Sequence, residues 1–403
     1  MMTRLPRVAL FACSYNEIDG VANTCHRFEE FAQRRDLPFL NVHGGFGHYI
    51  QTDGPTCRYE FQRRWPKFAL DEKHEFDLLF WRYYRTIEAA VRAFKPDVLH
   101  ITGPSELGQT GALVAHRLRI PLVASWHTNV DEYAEQRFLS WTAPLPGPAR
   151  KAFGNRIRTL TFRLTARFYQ IARLLFAPNP ELVEQLAKAT NKPCHLMSRG
   201  VDTNLFRPER RDVHTAALTI GYVGRFTTEK NIRFLAELEQ SLLARGHQNF
   251  RMLLVGQGAE ESWLKTNLRR AEFAGVLQGE ALARAYANMD VFAFPSRTDT
   301  FGNVVLEAMA SGVPAVVTNA GGPKFIVRHG QDGLIAANDS EFVDSVSSLL
   351  SNPDRLAEMR FAARQHASAS SWDAVFGQVY RSYNQMLDEP QSVMRCAPGL
   401  VQI

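Results

Sequence analysis

Residues Val291 to Val317 read VFAFPSRTDTFGNVVLEAMASGVPAVV. The run Val291-Phe292-Ala293-Phe294 is too short for a helix and fits a strand buried on both faces. Polar residues from Ser296 to Thr300 follow, then Phe301-Gly302-Asn303. Val304 to Ser311 carries a helical pattern, stopped by Gly312 with Pro314 just beyond. Ala315-Val316-Val317 is a second buried run. Strand, loop, helix and strand make one βαβ unit, with the loop where the first strand ends and the helix begins.

Glu307 is the odd residue in this unit. Its helical neighbours are Val304, Val305, Leu306, Ala308, Met309 and Ala310. A helix apolar nearly all round is buried, and a carboxylate within it needs a partner. Asp299 stands eight residues earlier, just before the helix. Between the two acids lie the backbone N–H groups of a helix start, beside a glycine that lets a ligand approach closely. Such an end attracts phosphate through its unsatisfied donors and its dipole. The loop therefore offers a phosphate seat flanked by two acceptors suited to hydroxyl groups. The plainer alternative makes Asp299 or Thr300 a helix cap and pairs Glu307 with an internal arginine.

Working outward, the same alternation covers most of the chain. Strands are expected at Val8–Ala12, Phe39–Val42, Asp97–Ile101, Pro121–Trp126 and Leu174–Ala177, with helices at Thr24–Arg35, Leu78–Phe94, Gly108–Leu118 and Glu181–Ala189. Residues 44–75 give no clear pattern. Gly20 lies on the polar loop after the first strand, where doubly wound sheets meet their ligands, although no GxGxxG is present. His127 follows the strand at Pro121–Trp126, in the corresponding place; the alternative is a half-buried histidine bonded to a backbone carbonyl.

Cys194 to Arg211 reads as a linker, and a second alternation starts at Leu218. Thr219–Val223 is a strand, and Arg225 and Lys230 lie on the loop after it. Two fixed cations at a strand end suit a diphosphate, whereas the alternative is an ordinary charged surface loop. Phe250–Val255 is a strand, Glu260–Ala271 a helix, Phe273–Leu277 a short strand and Leu282–Met289 a helix. Beyond the central unit come Gly321-Gly322-Pro323 and helices near Ser340–Ser351, Asp354–Ala369 and Ser371–Met386, with a frayed end after Pro390.

A chain of 403 residues is long enough for two domains. Hydrophobic residues at 45% and charged residues at 22% place it among ordinary globular proteins. No apolar run reaches the roughly 18 residues of a membrane span. The apolar run near the N-terminus is too brief for a signal peptide. Five cysteines without metal-type spacing read as reduced cytoplasmic thiols. A net charge of +6 suits an anionic ligand or surface and does not by itself indicate nucleic acid. From Gln136 to Pro180 there are eight Arg or Lys and no Asp or Glu, interleaved with Phe, Leu and Ile. That segment reads as a basic amphipathic stretch able to lie on an anionic membrane, or as a solvated face whose acids lie elsewhere.

Taken together, Gly20, His127, Arg225 with Lys230, Asp299 with Glu307, and Gly321-Gly322 resemble the retaining GT-B glycosyltransferases of family GT4. The likeness covers nearly the whole chain and is strongest over Thr219–Pro323. The pieces GYVGRFTTEKN and TDTFGNVVLEAMASGVPAVV are similar to the mannosyl-, glucosyl- and sulfoquinovosyl-transferases that build glycolipids. The first acid of the family pair is usually glutamate and here is Asp299; where many members carry an acid after the glycine pair, this chain has Lys324-Phe325.

The resemblance implies an α/β protein with two Rossmann-like, doubly wound domains facing across a cleft. Residues 1–200 would form the acceptor domain, with a return helix at 371–390, and residues 201–370 the donor domain. The donor would be a UDP- or GDP-linked sugar. Arg225 and Lys230 become the diphosphate clamp, Glu307 the holder of the ribose hydroxyls, and Asp299 a contact to the transferred sugar. The backbone from Phe301 through Gly302 and Asn303 to Val304 would bind the distal phosphate and sugar. His127 would reach the sugar from across the cleft, and Gly20 would leave room beside the diphosphate. No metal or other cofactor is implied, and the acceptor would be a glycan or glycolipid reached in the cytoplasm, with peripheral membrane contact. Two rival readings use the same residues. A glycoside hydrolase would leave the two cations and the phosphate seat without a task, since its acids need only flank the sugar. An epimerase of the same architecture or an inactive nucleotide-sugar-binding protein would differ in turnover.

Overall fold

The computed structural model describes residues 5–17, 20–69, 75–127, 147–213 and 215–389. The first half runs β1 (Val8–Ala12), α1 (Gly20–Arg34), β2 (Phe39–Gly45), β3 (Tyr49–Asp53), β4 (Thr56–Gln62), β5 (Lys67–Ala69), β6 (Glu75–Asp77) and α2 (Tyr84–Phe94). It continues with β7 (Val98–Ile101), α3 (Glu106–Leu118), β8 (Leu122–Ser125), α4 (Gly147–Tyr169), β9 (Leu174–Ala177), α5 (Pro180–Thr190) and β10 (Cys194–Leu196). Eight strands form one sheet in the order β10-β9-β8-β7-β1-β2-β4-β3, and β5 pairs with β6 in a separate hairpin. All pairs in the large sheet are parallel except β3 with β4.

Side-chain alternation explains how this sheet is covered. Val8, Leu10 and Ala12 pack in one apolar cluster, Ala9 and Phe11 in another. Both faces are buried, so β1 reads as a continuous apolar run rather than an alternating one. One face takes α3, α4 and α5. The other takes α1 and, from the far end of the chain, α12 (Trp372–Asp388). Phe28 of α1 stacks on Phe376 of α12 at 4.4 Å between ring centres. His100 Nδ1 meets Tyr383 Oη at 2.6 Å. The last helix thus packs on the first sheet.

The second half holds β11 (Leu218–Val223), α6 (Phe234–Ala244), β12 (Phe250–Val255), α7 (Glu261–Asn267), β13 (Ala271–Gly275), α8 (Gly279–Ala287) and β14 (Val291–Phe294). It ends with α9 (Asn303–Ala310), β15 (Ala315–Thr318), β16 (Gly333–Ala336), α10 (Asp339–Ser351) and α11 (Pro353–Ala369). Its six strands, ordered β13-β12-β11-β14-β15-β16, are all parallel. This is the doubly wound order, whose direction reverses between β11 and β14; ligands bind beyond the carboxyl ends of strands at such a reversal. The loops after β11 and β14 carry Arg225 and Lys230 on one side and Asp299 on the other.

Several boundaries differ from the sequence reading. Helix α1 starts at Gly20 rather than Thr24, so Gly20 opens the helix and is not a loop residue. The helix expected to run to Ala271 stops at Asn267, and Ala271 begins β13. The cause is Glu239, whose carboxylate accepts the backbone N–H groups of Arg269 at 2.9 Å and Arg270 at 2.7 Å and draws the chain out of the helix. The unclear residues 44–75 contain β3 and β4, and the linker contains β10. Thr128 and Asn129, residues 136–146 and the end after residue 389 lie outside the described residues.

Candidate active site

Helix α9 starts without a side-chain cap. Its cap position is Gly302, held at φ 95°, where a side chain would be strained and a Cβ would come within 2.9 Å of Pro323 Cγ. Neither Asp299 nor Thr300 caps the helix, so its first N–H groups keep the positive end of the dipole open. The glycine pair beneath the loop sets its height. Gly322 donates its N–H to the Asp299 carbonyl at 2.6 Å, and a Cβ on Gly322 would stand 2.1 Å from the Thr300 carbonyl oxygen.

Two of the expected residues meet directly. Lys230 Nζ lies 2.5 Å from Asp299 Oδ1, and both side chains are largely buried. Lys230 ends a 3-10 turn, Thr228–Lys230, just after β11. Arg225 stands 3.4 Å from Glu229 and is 42% exposed, turned outward beside the same loop. The other Asp299 oxygen, Oδ2, is buried without a hydrogen-bond partner among the described residues, as are Thr227 Oγ1 and Ser296 Oγ on the same two loops. Buried polar atoms left unpaired are rare and need a reason.

Glu307 lies one turn into α9 and takes a hydrogen bond of 2.9 Å from the Tyr286 hydroxyl of α8. Burial pushes its carboxyl up to about 7, against the opposing pull of the Tyr286 bond and of Arg27 on α1. Its partner is therefore a tyrosine and not the internal arginine of the plainer reading. Tyr286, fully buried at its ring, holds the acid in place.

The first domain packs against this loop. Thr300 Oγ1 donates to the His127 carbonyl at 3.0 Å, and Asn179 Nδ2 donates to the Thr300 carbonyl at 2.7 Å. Gly20 faces Asn303, whose Nδ2 would stand 3.2 Å from a Cβ at Gly20. Lys324 pairs with Glu181 at 3.0 Å, and Arg27 with Asp202 at 3.4 Å. The His127 ring points away from these contacts. Its Nε2 meets Ser125 Oγ at 2.6 Å and its Nδ1 meets Arg199 Nη2 at 2.6 Å. What His127 presents to the loop after β14 is its carbonyl, whereas the resemblance assigns the histidine to the sugar. Burial, with help from Arg199 and His100, holds its imidazole well below the usual histidine range.

Sequence reasoning missed Asn179, Arg199 and Tyr286. Asn179-Pro180 is legible as a helix start, because asparagine caps and proline follows at the first turn. That signal predicts the Leu182 N–H to Asn179 Oδ1 bond of 2.9 Å and says nothing of Thr300.

Comparison with known proteins decides the family. Residues 45–205 match the family described as Glycosyltransferase Family 4, and residues 217–352 the family described as Glycosyl transferases group 1. A GDP-mannose-dependent alpha-mannosyltransferase of Mycolicibacterium smegmatis is 33% identical over 307 residues, covering 74% of this chain and 76% of that one.

The chain is a family 4 glycosyltransferase.

Two further relatives of this glycosyltransferase widen the picture. The Corynebacterium glutamicum protein of the same name is 28% identical over 76% of this chain and 72% of its own. Sulfoquinovosyl transferase SQD2 of Arabidopsis thaliana is 30% identical over 72% of this chain and 56% of its own. Among solved structures, sucrose-phosphate synthase from Thermosynechococcus elongatus superposes with a TM-score of 0.74 at 18% identity, over 94% of this chain and 98% of that one. WaaG, a glycosyltransferase of lipopolysaccharide biosynthesis, gives 0.65 at 14% identity over 93% and 99%. The fold is therefore GT-B, and the donor of this family 4 glycosyltransferase is a nucleotide sugar.

Proposed function

We propose that this glycosyltransferase moves a hexose from a GDP- or UDP-linked sugar to a hydroxyl of a membrane glycolipid, retaining the anomeric configuration and using no metal ion. One observation carries the donor site. The Lys230–Asp299 pair stands beside the uncapped start of α9, with Glu307 one turn deeper, at the reversal point of the second sheet. The unpaired oxygens of Asp299, Thr227 and Ser296 are acceptors that a polar ligand would satisfy.

In the reaction the bond from C1 of the sugar to the diphosphate oxygen breaks and a bond from the acceptor oxygen to C1 forms. Negative charge grows on the departing phosphate. Lys230, Arg225 and the backbone N–H groups from Phe301 through Gly302 and Asn303 to Val304, at the start of α9, would stabilise it without rearranging. The acceptor proton passes to the departing phosphate on the same face, and a nucleoside diphosphate leaves. Asp299 would hold a sugar hydroxyl, Glu307 the ribose diol, and His127 the donor loop. The names of two relatives specify GDP-mannose and an alpha product, which supports GDP-mannose as the first donor to try and supports retention.

The membrane reading rests on two surfaces of the acceptor-side domain. On α4 the outward stripe holds Phe153, Arg156, Leu160, Arg163, Leu164 and Arg167. Among the described residues, Arg156, Arg163 and Arg167 show no ion pair with an acid. Near β4 and α2, Trp65 is 84% and Trp81 69% exposed, with Leu78, Arg64 and Arg85 also outward. Exposed tryptophan beside arginine is the side-chain set of a membrane interface. No helix among the described residues is long and apolar enough to cross a membrane, so contact would be peripheral, and we place it at the cytoplasmic leaflet.

A thermal-shift panel of GDP-mannose, UDP-glucose and ADP-glucose tests the donor site. A ligand at about a hundredfold over its Kd adds about 2.7 kcal/mol of stability. The reading expects one of the three to raise Tm in the wild type and to fail in Glu307→Ala.

A further inference from the structure

We propose that Arg199 is a positioning residue of the transfer reaction: it holds the His127 ring in one neutral tautomer, so that the His127 carbonyl stays set against Thr300 of the donor loop. The inference rests on the donor site proposed above.

Arg199 follows β10 and is only 4% exposed. Its backbone is clamped, since Gly200 abuts Trp372 so closely that a Cβ would stand 2.4 Å from the Trp372 nitrogen, and Val201 N donates to the Ser370 carbonyl at 3.0 Å. Among the described residues no carboxylate bonds its guanidinium. A buried cation without an acid is costly, and an apolar side chain would fill the same space more cheaply. Two hydrogen bonds account for it: Nη1 donates to the Met197 carbonyl at 3.1 Å, and Nη2 to His127 Nδ1 at 2.6 Å.

The second bond has a definite chemical consequence. A guanidinium has donors only, so Nδ1 of His127 must be the lone-pair acceptor. The ring proton then sits on Nε2 and is donated to Ser125 Oγ at 2.6 Å. Ser125 ends β8, and its own carbonyl takes the Tyr169 hydroxyl at 3.1 Å. Both ring nitrogens are thereby tied to the floor of the first domain. The residue cannot rotate, and its carbonyl faces Thr300 Oγ1 at 3.0 Å. Thr300 lies between Asp299 and Phe301, so a shift of His127 moves the loop that carries the sugar contact and the phosphate seat.

A second proton on the ring would set an N–H against the guanidinium. Among the described residues, the titratable and charged groups around the ring act in the same sense or not at all. Arg199 faces it from the segment after β10 and His100 from β7, and both disfavour a charged imidazole. His100 is itself buried and bonded to Tyr383 of α12, and Cys25 of α1 lies toward Arg199. On the donor side the nearest acid on the loop is Asp299, already paired with Lys230.

The test joins a spectrum to kinetics. Ring nitrogen–proton NMR of uniformly labelled protein, with His127→Gln to assign the signal, should show His127 neutral with its proton on Nε2 from about pH 5.5 to about pH 8. In Arg199→Ala the ring, still kept neutral by burial, should lose its single-tautomer signature and populate the Nδ1-protonated form as well. With GDP-mannose as donor, Arg199→Ala should lose about tenfold or more in kcat with KM within about threefold, and millimolar guanidinium, but not urea, should restore part of it. Arg199→Lys, which keeps the charge without the planar fork, should fall between the two. A wild-type ring protonated on Nδ1 or doubly protonated near neutral pH overturns the proposal. So does an unchanged kcat in Arg199→Ala and Arg199→Lys, or a loss that guanidinium leaves untouched in a variant that still melts cooperatively. Should Arg199→Ala not fold, the wild-type spectrum and Arg199→Lys decide. Failure of the wild type to consume any nucleotide sugar would instead count against the donor reading, and the spectrum would still stand as the test of the tautomer.

Discussion

Lys230 Nζ and Asp299 Oδ1 stand 2.5 Å apart and tie the loop after β11 to the loop after β14. The pair fixes a cation at the proposed donor site, and a bound diphosphate would share it. Lys230→Ala should therefore cost turnover far more than fold. Loss of one charge contact to a developing oxyanion is worth about 2.7–4 kcal/mol, or about a hundredfold to a thousandfold in kcat. Arg225→Ala should follow it. Steady-state turnover of GDP-mannose with a melting curve on each variant is the check, and near-normal kcat in both would remove the clamp assignment.

Glu307 gives a pH signature. Its carboxyl sits at about 7 when folded because burial disfavours the charge. Between the ordinary carboxyl range and about 7 the folded protein keeps a proton that the unfolded chain has released. Stability from this group therefore falls as pH rises across that window, and Glu307→Gln should gain Tm relative to wild type at pH 8 more than at pH 5. Ribose hydroxyls donate to the ionised form, so affinity for GDP-mannose should rise about tenfold from about pH 6 to about pH 8. Calorimetry across that range checks it; the same slope in Glu307→Gln would assign the effect elsewhere.

Asn179 separates capping from closure. Its Oδ1 caps α5 through Leu182 N–H, and its Nδ2 holds the Thr300 carbonyl. Asn179→Ser keeps a capping oxygen and loses the clasp; Asn179→Ala loses both. The alanine variant should be about 1 kcal/mol less stable than the serine variant. Both should bind GDP-mannose several-fold more weakly than wild type. Wild-type affinity in Asn179→Ser would show that the clasp does not shape the donor loop.

Membrane docking is tested by co-sedimentation with vesicles of anionic and of neutral lipid. Each Arg or Lys near an anionic surface contributes about 1 kcal/mol, screened over about 8 Å at physiological salt. Binding should favour the anionic vesicles, weaken with salt, and fall in Arg156→Gln with Arg163→Gln and in Trp65→Ser with Trp81→Ser. Equal partitioning onto both vesicle types, or none onto either, would contradict it.

The parts of this architecture that were legible in the sequence are those with a local cause. Val291–Phe294, the break at Gly312 and the run Ala315–Val317 follow from burial and turn chemistry, and the structure places β14, α9 and β15 there. The local pattern carries the helix on to Ala271, because the stop comes from Glu239, thirty-two residues away in sequence and adjacent only in the fold. The site divides the same way. Arg225, Lys230, Asp299 and Glu307 stand out as charges at strand ends or among apolar neighbours. Tyr286, Asn179 and Arg199 look like core, cap and linker residues until the fold sets them against Glu307, Thr300 and His127.

Retaining transfer from a nucleotide sugar held by Lys230, Asp299, Glu307 and the start of α9 leaves the anomeric configuration of the product as its record. Proton NMR of the anomeric region, recorded from the first minutes of a reaction with GDP-mannose and a membrane-lipid extract, tests it most directly. The donor signal should be replaced by an alpha-mannoside, the product should partition with the lipid, and Lys230→Ala should abolish both at unchanged protein concentration. A beta-mannoside as the first product, or no loss of donor signal from GDP-mannose, UDP-glucose or ADP-glucose, would contradict it.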